Sequence, residues 1–215
     1  MAARETREKI LEAALSLFRE RGYTEATMRE IATRAGVASG LAYYYFESKD
    51  AIVLAFYQRT RDELPALLEA TTSEKTLSRR LQAIIETKLR YFAPNRHFLG
   101  ALMPHAADPA NPLSPFSEAS RGIREFDISV FEQALKDTRS SVPRDLAPHM
   151  GKILWMYQMG IILFWIYDRS PQQKRTHALL ETSLKIVVAL LKLSNVPLLK
   201  PARRSVLQII GILEG

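Results

Sequence analysis

The sequence predicts an all-α chain with an N-terminal three-helix head followed by a larger helical domain. Three observations carry this. Apolar residues recur at helical spacing from Ile10 to Leu193, and no alternating strand pattern of useful length interrupts them. Residues 27–49, TMREIATRAGVASGLAYYYFESK, read as two short helices joined by a glycine turn, with a lysine opening the next helix. The chain has 215 residues, 47% apolar and 25% charged, an ordinary globular balance with room for one large domain or a small one plus a larger one.

Ile10, Ala14, Leu17 and Phe18 form the apolar face of the first helix. Gly22 stands where a left-handed residue closes a helix, and Tyr23 is expected to fold back as a staple. Thr27 followed three residues later by Glu30 is a capping box, so a second helix starts there with Ile31, Ala32 and Ala35 inward. Gly36 makes the turn and Val37 fills the space between the helices. The third helix runs from about Ser39 to Phe46. Ser48 caps a longer helix that opens Lys49-Asp50-Ala51 and continues through Ile52, Val53, Phe56 and Tyr57.

Further on, Leu77, Leu81, Ile84, Ile85, Leu89 and Phe92 mark a helix ending before Pro94, and Phe98 to Ala106 a short apolar one. DPANPLSP, residues 108–115, is a loop that no helix crosses. A helix restarts at Phe116 and runs to Lys136, with Ile123, Phe126, Val130 and Phe131 or Ala134 on one side. Met150–Tyr167 and Thr176–Leu193 are two long, strongly apolar helices. Pro197 and Pro201 end the last of these, and Val206, Leu207, Ile210 and Leu213 fit one more short amphipathic helix. The expected domains are 1–48 and 49–215, with 196–215 an extra helix or a tail.

Composition narrows the function classes. There is no cysteine, so disulfides, thiolate metal sites and cysteine nucleophiles are excluded. His97, His105, His149 and His177 have no metal-ligand spacing, and no metal or other cofactor is expected. No GxSxG, HExxH or glycine-rich phosphate loop occurs, so an enzyme is not expected. The opening MAARETREKI has charges where a signal peptide needs an apolar core, and the apolar run 153–167 is shorter than the ~20 residues that span a bilayer. A cytoplasmic chain without membrane contact is expected. Net charge is +7, which suits a polyanion, yet residues 1–61 hold ten Lys or Arg against eight Asp or Glu. A binding patch must therefore come from geometry.

Two small helices joined by a tight glycine turn form a helix-turn-helix, whose second helix fits the DNA major groove. Here that helix has no Lys or Arg; its side chains are those of Ser39, Leu41, Ala42, Tyr43, Tyr44, Tyr45 and Phe46. An apolar reading head points to van der Waals contact with thymine methyls and to hydroxyl hydrogen bonds. Tyr44 and Ser39 are the candidates for base edges, and Gly40 lets the backbone approach. Ala42, Tyr45 and Phe46 are expected in the core. Arg4 and Arg7 on an N-terminal arm, with Arg29 and Arg34, either reach DNA or are solvated.

The string ILEAALSLFRERGYTEATMREIATRAGVASGLAYYYFESKDAIV joins five words at fixed spacing: A-x-x-L-F-x-x-x-G-Y, T-x-x-x-I-A, A-G-V, G-x-x-Y-x-x-F and K-D. On these, residues 4–57 resemble the DNA-binding domain of the TetR (tetracycline-repressor-like) family of transcriptional regulators. Ala38, Ser39 and Glu47 depart from it, standing where Ser, a basic residue or Pro, and a basic residue are frequent. The resemblance implies that Tyr43 and Lys49 grip phosphates, helped by Thr27. It implies a repressor that binds a palindromic DNA operator as a homodimer.

The last two long helices are the expected dimer interface. Leu154, Tyr157, Ile161 and Trp165 follow one stripe and Leu180, Leu184, Val187 and Leu191 another, while Ile161–Tyr167 is apolar on every side and needs two covers. The resemblance also implies a ligand cavity, for which Phe92, Met103, His105, Phe126, Val130, Trp155, Met159 and Ile162 are the candidate lining. Such a lining implies a small apolar or aromatic effector. The alternative is an architectural DNA binder or protein-interaction module without an effector.

Overall fold

A computed structural model describes residues 2–196, 200, 201, 203–205, 207 and 208. The helices are α1 (Ala2–Arg21), α2 (Met28–Ala35), α3 (Ser39–Tyr45), α4 (Lys49–Glu69), α5 (Leu77–Phe92), α6 (Arg96–Ala106), α7 (Arg121–Asp137), α8 (Ala147–Tyr167) and α9 (Lys174–Leu193). Short 3-10 turns lie at Ala70–Ser73, Ala93–Asn95 and Pro171–Gln173. The fold is all-α, with no strand among the described residues. Residues 200, 201, 203–205, 207 and 208 are also helical; Pro197, Val206, Ile210 and Leu213 lie outside the described residues.

The chain packs as two compact units, Met1–Leu67 with Lys88–Phe126, and Leu68–Thr87 with Asp127–Gly215. In packing, α6 thus belongs with the head.

The first unit is built on α1. Ile10, Ala14, Leu17 and Phe18 are buried along one side, and Gly22 closes the helix at φ 86°, a left-handed conformation that costs glycine little. Tyr23 then folds back with its ring edge 5.4 Å from Phe18. Phe98 of α6 stacks on Phe18 at 5.1 Å, and Phe56 of α4 meets Phe98 at 5.9 Å. Arg59 ion-pairs with Glu8 at 2.9 Å and with Glu12, tying α4 to α1. The expected N-terminal arm is instead helical from Ala2. Arg7 does not extend from it but lies over the Phe46 ring at 4.7 Å.

Helices α6, α8 and α9 start two or three residues before their expected first residues, and the start of α7 differs most. Helix α7 starts at Arg121, not at Phe116. Serine hydroxyls capture the backbone first: Ser114 Oγ accepts from Phe116 N, Ser117 Oγ accepts from Ser120 N, and Arg124 Nη1 donates to the Pro115 and Ser117 carbonyls. Serine side chains of this kind compete with the helical ladder, so successive turns persist until Arg121. Pro94 ends α5 as expected, with Ala93–Asn95 forming a 3-10 turn before α6.

In the second unit, α8 and α9 pack on each other. Tyr157 and Ser183 hydroxyls meet at 2.6 Å between them. Gly151 allows α7 close: a Cβ there would stand 2.6 Å from Glu132 Cγ and 2.9 Å from Ile128 Cγ2. The buried Asp168 governs the turn into α9. Its Oδ2 accepts from Thr176 N at 2.9 Å and Thr176 Oγ1 at 2.7 Å, and its Oδ1 from Ser170 N at 2.9 Å. Burial alone raises this carboxyl, but the hydrogen bonds from Ser170 and Thr176 outweigh it and hold the group well below the usual carboxylate range.

A carboxyl depressed in the folded state adds stability above its unfolded value, about 3.9, and loses it as pH falls towards the folded value. Asp168→Ala is expected to lower the melting temperature by roughly 3–6 °C at pH 7. The gap from the unaltered chain should narrow only below about pH 4. A gap that stays constant down to pH 2 in calorimetry contradicts this role.

Among the described residues no helix is long and apolar enough to cross a membrane.

Candidate nucleic-acid interface

The head presents α3 through a capped and turned α2. Thr27 is extended, its Oγ1 accepts from Glu30 N at 3.3 Å, and Glu30 Oε2 accepts from Thr27 N at 3.0 Å, completing the capping box. Thr27 Oγ1 also donates to Glu30 Oε2 at 2.9 Å, so the exposed hydroxyl is already engaged in the cap. Gly36 ends α2 at φ 69° with its N–H on the Ala32 and Thr33 carbonyls. Helix α3 then starts at Ser39, as expected, behind Ala38, which makes no side-chain cap.

Ala42 and Phe46 point into the core and are 0% and 2% exposed. With that face fixed, helical geometry turns Leu41, Tyr43 and Tyr44 outward, at 40%, 53% and 80% exposure. Ser39 and Gly40 are exposed beside them, and Tyr45 is half-buried against the core with its ring edge on Tyr44 at 5.2 Å.

Charges around this face are mostly paired. Arg34 binds Glu20, whose carboxyl is held at about 2 by hydrogen bonds from Arg34 and Ser16. Arg21 binds Glu30 at 2.6 Å. Arg29 is exposed and makes no ion pair among the described residues. Glu47 is exposed at the far end of α3.

Lys49 is only half-exposed. Its ammonium donates to the Tyr23 carbonyl at 2.7 Å and the Thr24 carbonyl at 3.0 Å and lies 4.7 Å over the Tyr23 ring. Desolvation lowers its pKa from the ordinary lysine value. An ammonium has three N–H donors, and these carbonyls use two. Tyr23 in turn donates its hydroxyl proton to Asp50, and burial with that acidic neighbour raises the phenol's pKa. Ser48 Oγ accepts from Ala51 N at 3.1 Å and caps α4. Thus the α1–α2 turn and the start of α4 are one hydrogen-bonded assembly. Sequence gave no signal for the Tyr23–Asp50 pair, because 27 positions separate the partners.

The other candidate residues fall as follows. Phe92, Met103, His105 and Phe126 are half-buried in the first unit. His105 Nδ1 accepts from Asn111 Nδ2 at 3.2 Å and its ring lies 6.3 Å from Tyr23. Val130, Met159 and Ile162 are half-buried and Trp155 is buried, all in the second unit. Of the dimer candidates, Leu154, Ile161, Trp165, Leu180, Leu184 and Leu191 are buried within the single chain, and Tyr157 and Val187 are half-buried. The exposed apolar residues of these helices are different ones. On α8 they are Met156, Leu163, Phe164 and Tyr167, and on α9 Leu179, Ile186, Leu190 and Leu193. A groove of about 550 Å³ on the α8 face is lined by Gly160, Leu163, Phe164, Tyr167, Asp168, Arg169 and Arg175.

Known proteins agree with this architecture along most of the chain. Residues 10–56 match the family model described as bacterial regulatory proteins, tetR family. Residues 80–207, more than half of the chain, match the tetracyclin repressor-like C-terminal domain. The HTH-type transcriptional repressor KstR2 of Rhodococcus jostii is 29% identical over 161 residues, 66% of this chain and 72% of KstR2. The fold is similar to that of the fatty acid degradation regulator FadR from Bacillus halodurans, with a TM-score of 0.62 at 17% identity, covering 85% of this chain and 94% of FadR. It is similar also to SmeT in its complex with triclosan, with a TM-score of 0.59 at 19% identity, covering 85% and 91% of the two chains. The chain belongs to the tetracycline-repressor-like family and is a ligand-responsive, DNA-binding transcriptional regulator.

Proposed function

We propose that the protein is a repressor that holds a palindromic operator as a homodimer and is released by a small apolar or aromatic effector. One observation carries the DNA reading: α3 turns Tyr43 and Tyr44 outward on a helix whose opposite face is locked in the core. Residues 1–48 are the DNA-binding domain in this reading and 49–215 the effector and dimerisation domain. The face comprises Thr27, Ser39, Gly40, Tyr43, Tyr44 and Lys49. Tyr43 and the remaining Lys49 donor serve phosphates, and Thr27 acts by fixing the start of α2. KstR2, a repressor by name, supports that direction of control. Binding takes place in the cytoplasm, and the protein acts by occupancy of DNA, not by catalysis.

The dimer covers the exposed stripes of α8 and α9. Eight large apolar side chains at helical spacing on two neighbouring helices form a surface that a soluble chain covers. A second copy brings the same stripes across a two-fold axis, because such interfaces are self-complementary. Gly160, exposed in this face, lets the helices come close. Effector contact falls in the second unit to Val130 on α7 and to Trp155, Met159 and Ile162, which share one side of α8 by their spacing. SmeT, whose complex holds triclosan, supports a small-molecule effector. An effector works only by preferring one arrangement of the heads over the other.

Tyr43→Phe with Lys49→Ala should weaken binding to every duplex sequence and lower the salt-dependence slope by about one. An unchanged slope takes Lys49 out of the phosphate role and leaves it as the clamp of the Tyr23–Thr24 turn. The regulator reading itself is tested on one short selected operator, against a panel of apolar and aromatic compounds. Release by one class supports it. A duplex held equally under the whole panel, with little sequence preference, supports the architectural alternative.

A further inference from the structure

Specific base recognition usually relies on side chains that grip two atoms of a base edge at once: Arg or Lys on guanine, Asn or Gln on adenine, with Asp or Glu accepting from cytosine. Helix α3 has none of these six residue types anywhere in its sequence SGLAYYY. Its outward face offers one aliphatic side chain, Leu41 at 40% exposure, and the ring and hydroxyl of Tyr44 at 80%. The other polar groups on this face are the Ser39 hydroxyl and the hydroxyl of Tyr43, which is 53% exposed and assigned above to phosphate.

Gly40 adds an independent observation. It lies inside α3, where glycine weakens a helix relative to alanine. Its φ is not left-handed, and a Cβ added there would meet nothing within 4 Å. Neither the backbone conformation nor the packing of this chain requires glycine at that position. The open space lies on the same exposed side as Leu41 and Tyr44, so this face can come close to a surface outside the chain.

The chemistry of the major groove then narrows what is read. Of the four bases only thymine presents an apolar group there, its C5-methyl. We propose that sequence is read chiefly through thymine methyls, with Leu41 as the specificity-determining residue and Tyr44 beside it. Leu41 packs on a methyl, excludes water from it and leaves no hydrogen-bonding partner for a cytosine amino group at the same place. Tyr44 adds ring contact and one hydroxyl hydrogen bond. Gly40 lets the helix sit low enough for a short aliphatic side chain to reach the groove floor. This rests on the DNA-binding reading above and adds to it which base, which atom and which side chain decide.

The test uses the full-length protein and an operator obtained by selection from random duplexes. Each thymine in a half-site is replaced singly by deoxyuridine, which removes the methyl and preserves every hydrogen-bonding atom. One or two positions per half-site should then bind about four- to tenfold more weakly. At those positions, cytosine should be improved by 5-methylcytosine. Leu41→Ala, an exposed substitution that leaves the core intact, should bind thymine and uracil duplexes equally at one of them, with an unchanged salt slope. An operator whose affinity shifts less than twofold at every thymine-to-uracil change overturns this proposal alone. So does a Leu41→Ala variant that still discriminates as the unaltered protein does. A folded protein that enriches no sequence overturns the DNA-binding reading and this proposal with it.

Discussion

Phe164→Glu combined with Ile186→Glu is expected to leave the chain folded, convert it to a monomer and weaken operator binding by about a hundredfold or more. Both side chains are exposed in the single chain, Phe164 at 41% and Ile186 at 57%, so the glutamates do not enter its interior. In a two-fold interface each substitution counts twice, and four carboxylates would be forced into an apolar contact without partners. The heads then lose their tether, and each must bind its half-site alone. Trp165→Glu does not make this test, because Trp165 is 3% exposed within the chain and a charge there attacks the fold. Sedimentation velocity with far-ultraviolet circular dichroism separates the cases. A folded dimer that survives both glutamates moves the interface off these stripes.

Phe18→Ala is expected to have the largest effect on stability, a loss of about 3–5 kcal/mol. Phe18 is fully buried, with its ring against Tyr23 just beyond α1 and stacked on Phe98 of α6, in the core cluster that also holds Ile10 and Ala14. Removing the ring leaves a cavity that Phe98 and Phe56 cannot collapse into, since each is held in edge or stacked contact by its own helix. Against a total stability of about 5–15 kcal/mol the head would be close to unfolding at 37 °C. Urea denaturation should show the midpoint falling steeply, with operator binding lost in parallel. Phe18→Leu, which fills most of the space, should retain both. A change below 1 kcal/mol for Phe18→Ala would mean that the α1–α6 contact contributes little to the head.

The head was legible because its signals are local. The Thr27–Glu30 box, the left-handed Gly22 and Gly36, and the periodicity of α1 each act within a few residues, so pattern and structure coincide. The start of α7 was less legible: Ser114, Ser117 and Ser120 divert the backbone by side-chain hydrogen bonds that apolar periodicity does not register. On α8 and α9 periodicity finds an apolar stripe but not what faces it. Leu154, Ile161, Trp165, Leu180 and Leu184 satisfy the pattern by packing within the chain, while Met156, Phe164, Ile186 and Leu190 are the ones left uncovered. Both sets are apolar because these helices need two covers, and only coordinates separate the inner from the outer.

The interface residues split by range of interaction. Ser39, Gly40, Tyr43 and Tyr44 are exposed, as their place on α3 opposite Ala42 and Phe46 requires. The family resemblance gives Lys49 a phosphate role, yet its ammonium also meets carbonyls 25 and 26 residues earlier. Nothing in a linear pattern marks that fold-back.

Selection of bound duplexes from a random library at near-physiological salt tests the central claim most directly. The account predicts a palindromic consensus whose half-sites are centred about one helical turn apart or slightly more. A folded dimer that enriches no sequence would contradict it.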